Sequence, residues 1–139
     1  MENSFFAYRF SLREYATLNL MSNYRDLRVY QLAEDLDDQI FVLSGKFPKS
    51  EIYSLTDQLK RSVHSIVANI AEGYGRRFYP QEYARFLTFS QASSHESREH
   101  LKTALKRKYC TQTEFSLLDD KLDHVGKMLT LLIKKVRKG

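Results

Sequence analysis

His95, Glu96 and His100 lie close enough together to suggest a zinc-hydrolase helix, in which histidines four residues apart share one face and a glutamate between them acts as base. Here the histidines are five apart, about 140° around a helix, so they do not converge on one ion. A di-iron bundle needs Glu-x-x-His on two helices, but Glu96 is followed three residues later by Glu99, and Glu72 by Gly75. His64 and Ser65 fall in a helical stretch with no elbow turn and no third triad member. Cys110 has Lys108 nearby, which favours a thiolate, but it ends a helical segment, where the helix dipole opposes one. The Gly73-Tyr74-Gly75 stretch closes a helix and does not open one, so it is no phosphate cradle. We therefore expect no catalytic residue, metal or cofactor.

Charge is the remaining chemistry. The net charge is +5, but residues 59–139 carry sixteen basic against eight acidic side chains, whereas residues 21–58 carry four against seven. Lys60, Arg61, Arg76, Arg77, Lys102, Lys106 and Arg107 are the candidates for neutralising phosphates without reading bases, with Tyr74, Phe78 and Tyr79 interleaved as stacking surfaces. Lys134, Lys135, Arg137 and Lys138 add a further basic cluster at the end of the last helix, with the helix dipole as the alternative reason for their charge. The competing reading is a solvated lysine-rich surface, or complementary pairing between acidic and basic faces of neighbouring subunits.

The elements that position these side chains read as four helices. Both prolines, Pro48 and Pro80, and Gly45, Gly73 and Gly75 fall between periodic segments. The first helix is expected over about 27–44, with Asp26 as N-cap and Val29, Leu32, Leu36, Ile40 and Leu43 inward. The second starts near Ser54 in a Ser54/Asp57 capping box and stops at a left-handed Gly73. Pro80 opens the third, which runs to about Tyr109, and Thr111 with Glu114 caps the fourth. Short connections make the fold all-α, an antiparallel up-down-up-down four-helix bundle. The bundle domain spans 21–139. Residues 1–20 read as an N-terminal extension, or as a short helix from Leu12 to Leu20 capped by Ser11 and Glu14.

A single cysteine, no apolar run of membrane-spanning length and charges throughout the first twenty residues predict a cytoplasmic protein that does not enter a membrane. Phe86, Phe89 and Ser93 on the third helix, and Met128, Leu131 and Ile133 on the fourth, give more packable surface than one core needs and are expected to form an oligomer interface. A tight intramolecular crossing is the alternative for the serine-rich centre of the third helix, Ser90 to Ser97.

Residues 65–76, Ser-Ile-Val-Ala-Asn-Ile-Ala-Glu-Gly-Tyr-Gly-Arg, are the most identifying stretch. Asn69 lies at the edge of the apolar stripe, where its amide either bridges to the third helix (its serines or Glu96) or contacts a ligand. Glu72 opposes the dipole of its own helix and calls for a cation, with Arg76, Arg77 or Arg98 as candidates. With Gln58-Leu59-Lys60-Arg61-Ser62, Leu27-Arg28-Val29-Tyr30-Gln31, Phe47-Pro48, Glu51 and Arg85-Phe86-Leu87, this stretch resembles the four-helix proteins encoded in intervening sequences of bacterial 23S rRNA genes, over about 24–132. Asn69, Glu72, Gly73, Gly75 and Glu96 form the structural signature that the resemblance implies. The chain departs from the family where Tyr30 replaces a frequent tryptophan, Ala92 a glycine, and Arg98 a second acid after Glu96. Related bundles are accessory subunits of reverse transcriptases in diversity-generating retroelements. The resemblance thus implies a homo-oligomer, a pentamer first, with RNA or DNA and a reverse transcriptase as partners.

Overall fold

The computed structural model describes residues 23–139, so the expected extension and its short helix lie outside the described residues. A 3-10 turn at Tyr24–Asp26 leads into four helices: α1 (Arg28–Ser44), α2 (Leu55–Gly75), α3 (Pro80–Lys106) and α4 (Gln112–Lys138). Each packs on its neighbours in chain order and α4 closes onto α1, while the diagonal pairs α1/α3 and α2/α4 do not meet. This is the expected up-down-up-down bundle. Its long helices, 27 residues each, make it about 40 Å from end to end.

The helix ends differ from expectation in four places, the first being that α3 stops at Lys106 and not near Tyr109. Asp26 sits inside the 3-10 turn, so α1 is capped by Leu27 in an extended conformation and has no side-chain cap. Ser54 does not cap α2; its hydroxyl donates to Glu51, whose carboxylate at 3.2 Å also accepts the Leu55 N–H and so takes over the capping role. Gly73 is not a left-handed stop either. α2 runs right-handed through Gly75, and the positive φ among the described residues belongs to Lys108 in the turn after α3. The Thr111/Glu114 capping box forms as read: Glu114 N–H donates to Thr111 Oγ1 at 3.1 Å and Thr111 N–H to Glu114 Oε1 at 2.9 Å.

What Gly73 supplies is proximity. A Cβ there would stand 3.0 Å from Phe86 Cβ and 3.2 Å from Tyr83 Cδ1, whereas one on Gly75 would meet nothing within 4 Å. Gly73→Ala is therefore expected to destabilise by about 1–2 kcal/mol, overpacking outweighing its gain in helix propensity. Gly75→Ala should stabilise by about 0.5 kcal/mol. Urea midpoints of the two variants moving the same way would refute this account of Gly73.

Leu36, Ile40, Leu59, Ile66, Ile70, Leu87, Leu101, Leu122 and Leu129 are fully buried and form the body of the core. The centre of α3 contributes Ser90, Ser94 and Ser97 to that core, each 0% exposed. Their hydroxyls are satisfied without water. Ser90 donates to the Ile66 carbonyl of α2, Ser94 to Gln91 O at 2.7 Å, and Ser97 Oγ lies 2.8 Å from both Ser62 Oγ and the Ser93 carbonyl. Small side chains let the α2 and α3 backbones approach closely, and the crossing hydrogen bonds set their register. The serine-rich centre is thus an intramolecular crossing.

Candidate nucleic-acid interface

The antiparallel topology divides the seven basic candidates into two groups. Arg76 and Arg77 sit where α2 turns into α3, while Lys60, Arg61, Lys102, Lys106 and Arg107 lie toward the opposite end. Sixteen residues of α2 separate Lys60 from Arg76, about 24 Å. The sequence reading treated them as one surface. The bundle makes two, with an acidic middle between them that contains Asp35, Asp37, Asp38, Asp119, Asp120 and Asp123.

In the larger group, much of the charge is already answered. Arg61 pairs with Asp57 at 3.2 Å and Arg107 with Glu51 at 3.3 Å, and the Lys60 ammonium rests 4.8 Å above the Phe41 ring. Glu51 also accepts from Tyr109 Oη at 3.3 Å. Its hydrogen bond from Ser54 and its other donors hold its carboxyl below the usual carboxylate range, which marks Glu51 as a tie between the two loops at this end. Lys102 and Lys106 have no acidic partner among the described residues.

Arg76 and Arg77 are held differently. The Arg76 guanidinium lies 4.7 Å above the Phe86 ring, and that of Arg77 lies 4.6 Å from both Tyr74 and Phe78 while donating to the Tyr74 carbonyl at 3.2 Å. Aromatic faces position a cation without neutralising it. Phe78 and Tyr79, in the same connection, are 77% and 70% exposed. α4 ends at this end of the bundle, so Lys134, Lys135, Arg137 and Lys138 join the group. Arg137 lines a groove of about 450 Å³ together with Pro80, Gln81, Ala84, Arg85, Thr88 and Phe89. The sequence reading missed Arg85 and left Arg137 between the basic cluster and the helix dipole. The usable signal was the antiparallel pairing, which sets the last turn of one helix beside the first turn of the other.

The signature residues fall into structural roles. Asn69, half-buried, donates to the Ser65 carbonyl and Ser65 Oγ, each at 2.9 Å, and Ser93 of α3 donates to the same Ser65 hydroxyl at 2.9 Å. Asn69 thus reaches the α3 serines through Ser65 and not directly, and it does not touch Glu96. Glu72 is exposed and has no ion pair among the described residues, because Arg76 and Arg77 turn to aromatic rings and Arg98 turns to α4. Arg98 chelates Asp119 at 2.9 and 3.1 Å and reaches Asp123 at 3.0 Å. Glu96 faces His100 at 3.2 Å.

The six interface candidates also divide. Ile133 is buried at 6% exposure and belongs to the core, so it leaves the expected surface stripe. Ser93 is engaged in the α2/α3 crossing. Phe86 is half-buried against Gly73, and Phe89, 42% exposed, stacks edge-on against it. Leu117 lines the α4/α1 seam, and Met128 and the exposed Leu131 continue its helical face further along α4. At that seam a groove of about 250 Å³ is lined by Leu32, Leu36, Leu117 and Val125, with Asp35, Asp120, Lys121 and His124 around them.

Among the described residues no group of three or more His, Cys, Asp or Glu side chains is placed to hold a metal, and no helix is long and apolar enough to cross a membrane. Cys110 is buried, which pushes its thiol up.

Residues 25–131 match the family profile described as 23S rRNA-intervening sequence protein. No curated protein matches the chain. The fold is similar to the crystal structure of a protein with unknown function from the S23 ribosomal protein family of Bacteroides thetaiotaomicron VPI-5482. That likeness has a TM-score of 0.70 and 20% sequence identity, and covers 76% of this chain and 98% of the other.

Proposed function

Because the chain belongs to the 23S rRNA-intervening sequence protein family, we propose that it is a non-catalytic, self-associating bundle that holds RNA or DNA by its phosphates, without strong sequence readout. The observation that carries this reading is the end of the bundle where Arg76 and Arg77 keep their charge on aromatic rings beside Arg85, Arg137 and the C-terminal lysines. Such a patch attracts a polyanion through counterion release, and several copies in one assembly multiply weak contacts. Lys102 and Lys106 supply a second, weaker contact at the far end.

Titration of duplex DNA and structured RNA across salt concentrations tests it. On duplex DNA, Arg76→Glu with Arg77→Glu should weaken binding and lower the log–log salt slope by about 1.8, at about 0.9 per phosphate contact. Removing Lys134 to Gly139 should lower it as well, since those lysines share the end with Arg76. Failure of the wild-type protein to bind either polymer at about 50 mM salt, or an unchanged slope in the double variant, would reject the reading.

The α4/α1 groove supports a second reading, an accessory subunit that docks a protein partner such as a reverse transcriptase. Exposed Leu117 borders an apolar floor of Leu32, Leu36 and Val125 there, as at many interfaces, and exposed Leu131 lies further along α4. Under that reading the protein associates but carries no nucleic acid of its own.

A further inference from the structure

The connection between α2 and α3 is four residues long, Arg76 to Tyr79, and two of the four are aromatic side chains left in solvent. The Phe78 ring has the Arg77 guanidinium 4.6 Å from its centre. The same guanidinium lies 4.6 Å from the Tyr74 ring, so one cation joins the buried Tyr74 to the exposed Phe78. From Pro80 onward, Gln81, Arg85, Thr88 and Arg137 line the adjoining groove, which falls within the roughly 300–1,000 Å³ range of small-ligand clefts.

We propose that this corner binds single-stranded nucleic acid: Phe78 and Tyr79 stack on unpaired bases, and Arg137 takes the phosphodiester that follows them into the groove, joined by Arg85 as it leaves its exposed 3.6 Å pair with Glu82. The inference rests on the nucleic-acid reading above and adds the class of polymer. A duplex keeps its base faces covered and offers this corner phosphates alone, whereas every unpaired base presents a π-face. Aromatic and basic side chains together also suit an anionic membrane surface. The Arg77 guanidinium on the Phe78 ring, and the charged Arg85 and Arg137 in the groove beside it, oppose insertion of that ring into hydrocarbon.

The chain has no tryptophan, so Phe78→Trp places a lone indole at this corner. Its fluorescence should be quenched by a single-stranded oligothymidine of about a dozen nucleotides and left unchanged by a blunt duplex of the same length. In anisotropy titrations the wild-type protein should prefer the single strand, and Phe78→Ala with Tyr79→Ala should weaken that binding about 10-fold or more while sparing the duplex. Both rings are exposed, and circular dichroism should show the variants folded as the wild type. Equal binding of both polymers, unaffected by loss of the rings, overturns stacking while leaving phosphate binding in place. Binding of neither polymer overturns the parent reading too. Sedimentation with phosphatidylserine vesicles that depends on Phe78, with oligothymidine binding unaffected by it, assigns the corner to a membrane and overturns the inference.

Discussion

Ile66→Ala should remove about 4 kcal/mol of folding stability, toward the upper end of the 2–5 kcal/mol typical of such truncations. Ile66 is fully buried on α2, and its own carbonyl accepts from Ser90 across the crossing. The cost of a cavity depends on how far its walls can collapse. Here the nearest wall is a helix held in place by hydroxyl bonds, with serines too short to fill the space. Against a usual total of about 5–15 kcal/mol, that loss is a large fraction. Urea unfolding should show a lower midpoint at an unchanged slope. Ser90→Ala should cost only about 1 kcal/mol, because the Ile66 carbonyl keeps its partner within the helix. A loss below about 1.5 kcal/mol for Ile66→Ala would mean that the α2/α3 crossing relaxes readily, contrary to the picture of a rigid serine seam.

Arg98→Glu is the second large expected effect, a loss of about 2–3 kcal/mol at low salt. The Arg98 fork holds both Asp119 oxygens and one of Asp123, and its hydrogen bonding to Asp119 heads the contacts that raise the affinity of Arg98 for its proton. Lys127 takes the other Asp123 oxygen at 2.9 Å. Reversing the charge sets three carboxylates against each other and leaves one cation among them. The Arg98 side chain is 34% exposed, so solvent screening keeps the loss below that of a fully buried pair. Raising the salt should narrow the difference from wild type. Adding Asp119→Arg to Arg98→Glu should recover more than about 1 kcal/mol in a double-mutant cycle, and no recovery would show that the fork is incidental to stability. This pair also accounts for the departure at position 98: a chain with aspartates at 119 and 123 has a cation to place opposite them.

Helix number, order and approximate limits were legible because apolar spacing and the Thr111/Glu114 box are local properties of the chain. What the sequence did not reveal depends on neighbours. Whether Ser54 or Glu51 caps α2 is decided by side-chain direction within one turn. Gly73 reads equally well as a stop or as a close approach until Phe86 is placed against it. Ile133 was assigned outward because Leu129, Leu132 and Val136 continue a three-four spacing. Over several turns, though, a 3.6-residue helix drifts from that spacing, and the last core position moves to Ile133 while Leu132 and Val136 become half-buried. The basic candidates other than Arg85 were identified by charge and local grouping. Their division between two ends follows from the direction of each helix, and Arg85 and Arg137 meet only because α3 and α4 run antiparallel.

Phe89 borders the α3/α4 groove and Leu131 lies on the α4 face toward α1, and the two surfaces are chemically unlike. An association that joins one surface to the other is therefore head-to-tail, with no two-fold axis between adjacent subunits. In such an arrangement the number of copies is fixed by the rotation from one subunit to the next, and not by which residues touch. A rotation that divides a full circle evenly closes a ring, and one accompanied by a rise along the axis runs on as a filament. Were the bundle to associate in this way, a few degrees at the contact would separate a bounded particle from an open fibre.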